Sequence, residues 1–110
     1  PLALLVALPA LHAGAPPDCW PAFRGAGDSN SDAKSLPLRW SPTENVAWSV
    51  ELPGYGQSSP VVWKDRVFVT SVEGENKDTL HVLRLGLATG KEAWRKSHPN
   101  PAKVKATDYV

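Results

Sequence analysis

Residues 43–53 read Thr-Glu-Asn-Val-Ala-Trp-Ser-Val-Glu-Leu-Pro, and residues 89–99 read Thr-Gly-Lys-Glu-Ala-Trp-Arg-Lys-Ser-His-Pro. Thr43 aligns with Thr89, Ala47 with Ala93, Trp48 with Trp94 and Pro53 with Pro99, each pair 46 residues apart. A fixed period in the forties is what four-stranded propeller blades produce. Such a blade cannot bury both of its faces alone, so a chain built on this repeat is constrained to stack sheets. Four identities in a short window are weak evidence by themselves. The residues between the two copies strengthen the case.

Val61-Val62-Trp63 and Arg66-Val67-Phe68-Val69-Thr70 are rich in β-branched and aromatic residues and read as two strands. Lys64-Asp65 separates them with the length of a tight hairpin, although without glycine. Val67 and Val69 fall on one face of the second strand and Phe68 on the other, so both faces need cover. Glu73 to Thr79 is a polar loop. Leu80 to Leu87 fits helix spacing in part, but close turn signals and Gly86 favour a strand. Ala88-Thr89-Gly90-Lys91 is then a turn, and Glu92 to Lys96 a fourth strand. The expectation is an all-β fold: one antiparallel blade of four strands over residues 58–96, followed by an inter-blade loop over 97–110.

The earlier copy of the repeat has no meander before it. Residues 28–44 are polar and carry prolines. Residues 45–52 are therefore expected to form a lone N-terminal strand that closes the last blade of a ring. Closure of this kind removes open sheet edges. Eleven Pro and eight Gly suit many short strands and turns.

The stretch Leu83 to Trp94, with Thr89, Gly90 and Trp94 in place, resembles the repeat of PQQ-type (pyrroloquinoline-quinone-type) β-propellers. Gly86 stands where that family prefers Asp, and Arg84 where it prefers Ala. The missing carboxylate implies a looser turn. Trp20 to Gly25 and Ser58 to Ser71 also look like the opening of secreted bacterial members, so the resemblance spans roughly residues 20–96. It implies that the repeat tryptophan docks between neighbouring blades.

Residues 1–15 read as the apolar core and cleavage region of a secretory leader, which implies a secreted or periplasmic protein. The apolar run is too short to span a bilayer. The chain contains no Met and is expected to be a fragment of a longer protein. Residues 16–44 form an N-terminal arm. Cys19 is the only cysteine, and Pro17-Asp18 before it do not fit a lipidation signal. With 12 basic and 11 acidic residues, net charge +1, there is no electrostatic case for nucleic acid.

Few residues point to chemistry. Asp28 to Asp32 spaces three oxygen side chains like a calcium loop, but Ala33 and Arg39 stand where that loop needs Gly and Glu. A solvated loop is expected, with Asp28 or Ser29 bonding local backbone. His81 lies among apolar neighbours without a ligand partner at metal spacing, which suits a packed or edge histidine. Ser58 and Ser59 sit in no nucleophile elbow and read as a strand entry. Trp20, Phe23 and Arg24 have two readings: simple packing of the N-terminal arm, or a plug at one end or cover over a blade, with the Arg over an aromatic face. The segment Pro53 to Pro60 has two readings. It is a structural loop, or a channel-mouth surface in which Tyr55, Gln57 and Ser58 border a ligand or partner. Lys96, Lys103 and Lys105 suit a solvated loop.

The functional expectation is a non-catalytic secreted propeller scaffold presenting its rim to proteins or extracellular ligands. No cofactor or metal site is evident in the sequence. The resemblance adds two alternatives. One is a PQQ-dependent dehydrogenase whose cofactor floor, Ca²⁺ site and base lie elsewhere in the protein. The other is a scaffold for outer-membrane protein assembly.

Overall fold

A computed structural model of the protein describes residues 18–31, 33–56 and 58–102. The expected leader (1–15), Gln57 and residues 103–110 lie outside them. The described residues contain no helix. Five strands form one antiparallel sheet in sequence order: β1 (Cys19–Trp20), β2 (Val61–Trp63), β3 (Arg66–Glu73), β4 (Thr79–Gly86) and β5 (Glu92–Pro99).

The four-stranded meander lies where the alternation of β-branched residues places it, with longer strands than the pattern marks. β3 continues through Ser71 to Glu73, and β5 through Ser97 to Pro99. Polar side chains hide these extensions from a hydrophobic pattern. Register makes them: Ser71 pairs with His81, and His81 with Ser97.

A fifth strand joins the four of the expected meander. Residues 46–52 have no strand pairing, and the N-terminal strand that joins this sheet is Cys19–Trp20. Trp20 pairs with Val62. Its ring lies against Gly25, where a Cβ would meet Trp20 Cζ3 at 2.9 Å. Among the described residues Arg24 lies over no aromatic face; its Nε donates to Ser29 Oγ at 3.1 Å. Phe23 projects outward, 79% exposed.

One face of the sheet carries the core. Val67 pairs with Leu85 and Val69 with Leu83, and all four are buried. Trp48, Leu52 and Val62 pack against them. Residues 48–52 thus cover this face without joining the ladder. The opposite face aligns Phe68, Arg84 and Trp94 across β3, β4 and β5. The Phe68 and Trp94 rings meet at 6.3 Å between centroids, tilted by 54°. Lys96 Nζ stands 5.7 Å from the Trp94 ring centroid. Both Phe68 and Trp94 are only half-buried. The two-faced apolar character of β3 therefore holds, but only one face is covered.

The turns have local causes. Lys64 takes φ 56° in the β2–β3 hairpin, the left-handed geometry that tight hairpins require. In the β3–β4 loop, Lys77 N–H donates to the Gly74 carbonyl at 3.0 Å. Asn100 ties this loop to the end of β5, donating from its backbone to Asp78 O at 2.7 Å and from its side chain to Lys77 O at 3.0 Å. No helix among the described residues is long and apolar enough to cross a membrane.

Candidate functional site

Three places concentrate specific geometry: the repeat turn, the free edge of β3, and a polar row across β3–β5. At the repeat turn, Gly90 N–H donates to the Gly86 carbonyl at 2.8 Å and Gly86 N–H to the Lys91 carbonyl at 2.9 Å. Thr89 Oγ1 accepts from Lys91 N–H at 3.3 Å, so the Thr braces the turn. Gly90 takes φ 68°. The indole of Trp48 lies directly on it, and a Cβ on Gly90 would meet Trp48 Cε3 at 2.5 Å. Trp48 Nε1–H donates to the Leu87 carbonyl at 2.7 Å. The tryptophan of the first repeat copy is thus seated on the Thr-Gly turn of the second. Trp94, its counterpart, lies on the opposite face of the sheet.

The segment Pro53 to Pro60 runs along β3. β2 has three residues and β3 has eight, so β2 leaves part of the β3 edge without a strand partner. Buried or half-buried backbone donors need partners, and this segment supplies them. Tyr55 and Val72 exchange two backbone bonds of 2.8 Å each. Tyr55 Oη donates to the Gly74 carbonyl at 2.9 Å. Thr70 N–H donates to Ser58 Oγ at 3.2 Å. Gly54 turns at φ 65°, and a Cβ there would collide with the Val72 carbonyl oxygen. Tyr55 and Ser58 are therefore brought to one sheet edge, with their polar atoms bonded within it.

The polar row did not show in the sequence. Below the Val67/Leu85 and Val69/Leu83 pairs, the core face changes character at Ser71, His81 and Ser97, which stand side by side in register. His81 is 5% exposed. Its Nδ1 lies 2.8 Å from Ser97 Oγ, and its Nε2 lies 3.0 Å from Glu73 Oε2. A carboxylate only accepts, so Nε2 carries the proton. In the neutral imidazole Nδ1 is then an acceptor, and the Ser97 hydroxyl donates to it. Ser71 Oγ, on the other side of His81, is buried and has no partner among the described residues. His81 is indeed a packed histidine, but it is linked to two polar side chains that sequence spacing kept apart. The signal was available: pairing outward from the Gly74–Asp78 loop puts Ser71 opposite His81.

Elsewhere the arrangement is plain. Asp28 accepts from Asn30 N–H at 3.1 Å and from Asn30 Nδ2 at 3.0 Å, as expected of a solvated turn. Those bonds, the backbone one foremost, hold the Asp28 carboxyl below its ordinary range. Among the described residues no three His, Cys, Asp or Glu side chains gather as metal ligands. Comparison of the chain with protein-family models, with curated proteins and with solved structures returned no match.

Proposed function

We propose that this chain supplies one blade of a β-propeller and part of the closure of its neighbour, in a scaffold that offers the propeller rim to protein or extracellular ligands. The observation that carries the reading is the seat of Trp48 on Gly90. The first copy of the repeat delivers its tryptophan to the turn of the second copy, on the core face. Applied once more, the same relation sends Trp94 to the turn of a following repeat, and Trp94 does stand half-covered on the other face. Stacking is thereby written into the repeat itself. The resemblance to PQQ-type propellers and the leader-like residues 1–15 favour a secreted or periplasmic setting.

The rival within this reading is a quinone-dependent oxidoreductase. The intact protein, supplied with pyrroloquinoline quinone, Ca²⁺, a primary alcohol and a dye acceptor, should reduce no more dye than the heat-denatured protein does. Dye reduction that depends on quinone and alcohol would overturn the scaffold assignment.

A further inference from the structure

We propose that Ser97 is an activated nucleophile and a site of covalent acylation, with His81 as its base and Glu73 as the positioning residue. The inference is independent of the scaffold reading, because it concerns side chains on β3, β4 and β5 alone. The two links needed for an activated serine are present. Ser97 Oγ is 2.8 Å from His81 Nδ1, and His81 Nε2 is 3.0 Å from Glu73 Oε2. In the neutral imidazole the Glu73 carboxylate selects the tautomer in which Nδ1 bears the lone pair, which is the form that can take a proton from a hydroxyl. Nδ1 and Nε2 exchange their more usual parts here, and the imidazole conducts the same logic in either sense. The base is held rigidly, with its side chain 6% exposed, while Ser97 faces solvent. The nucleophile is therefore open to a reagent and the base is not.

The row is also poorly explained as core packing. It replaces apolar pairs on the buried face, and Ser71 leaves a hydroxyl beside His81 with no partner among the described residues. A buried polar atom without a bond costs stability, so its retention favours a polar surrounding for the imidazole when it gains charge.

The reaction balances without any further redox partner. An activated acyl ester is the donor. Ser97 Oγ bonds to the acyl carbon as its proton moves to His81 Nδ1. The bond between the acyl carbon and the leaving oxygen breaks, and His81 returns the proton to that oxygen. The products are acyl-Ser97 and the free alcohol or phenol.

The probe is p-nitrophenyl acetate on the intact protein, with phenolate release followed optically and the acetyl group located by peptide mass spectrometry. Ser97 should acetylate faster than any other exposed serine, Ser49 included. Positioned bases contribute about 100-fold or more, so His81→Gln should slow Ser97 acetylation by about that factor. Glu73→Ala, at a side chain 60% exposed and so compatible with folding, should slow it by a smaller factor. Circular dichroism identifies the variants that keep the sheet, and Glu73→Ala decides if His81→Gln unfolds. Acetylation of Ser97 no faster than of Ser49, or unchanged in a folded variant of His81 or Glu73, would overturn the proposal.

Discussion

At Gly90 two demands meet. The backbone turns at φ 68°, and the Trp48 ring occupies the space of a Cβ. Alanine would have to hold a left-handed conformation, which costs about 1–3 kcal/mol, and would displace the indole as well. Gly90→Ala is therefore expected to lower the stability of the intact protein by at least that amount, read as a shift of the urea midpoint. Trp48→Phe keeps an aromatic ring on the seat and removes the bond to Leu87, for a loss of about 1 kcal/mol. Equal midpoints for wild type and Gly90→Ala would remove the seat from the argument. The turn at this position was legible in the sequence, since Ala88-Thr89-Gly90-Lys91 reads as one. The occupant was not. Trp48 and Leu87 are 39 residues apart, and only folding reveals that one copy of the motif rests on the other.

At the scale of elements, strand length and edge supply explain most of the molecule. The alternation of Val67, Phe68 and Val69 announced β3, and Lys64-Asp65 announced its hairpin. Where β3 ends was not legible, because Ser71 and Glu73 carry no hydrophobic signal and are held by register with β4. The same blind spot concealed the His81 row. The added length of β3 has a consequence for Pro53–Pro60: the segment must serve the edge that β2 does not reach. Gly54 is the pivot of this arrangement. Gly54→Ala introduces a strained φ, worth about 1–3 kcal/mol, and a collision with the Val72 carbonyl. The Tyr55–Val72 bond pair should open, and hydrogen exchange at the Val72 amide should quicken more than at Val69, which lies deeper in the sheet. Uniform exchange across β3 in this variant would show that the edge segment is dispensable to the strand.

For the whole molecule, the decisive feature is the asymmetry between the two faces. One carries the buried quartet under Trp48 and Leu52. The other leaves Trp63 42% and Leu80 39% exposed, with Phe68 and Trp94 half-buried on the same face. Exposed apolar surface of this kind marks an interface or an aggregation hazard. In the propeller reading a neighbouring blade covers it, and the value of Trp94 depends on that neighbour. Removing a large aromatic from a packed interior costs about 3–5 kcal/mol. Trp94→Ala should therefore destabilise the intact protein by about that much. The same change should matter far less in the 110-residue piece expressed alone, where the ring meets Phe68 across the sheet and Lys96 along its own strand. That piece should itself be marginal, self-associating through the open face as concentration rises in sedimentation velocity. A monomeric, cooperatively unfolding piece that loses as much stability from Trp94→Ala as the intact protein does would mean that no neighbour completes this face. The repeat would then describe a single self-sufficient sheet, and the propeller reading would fall with it.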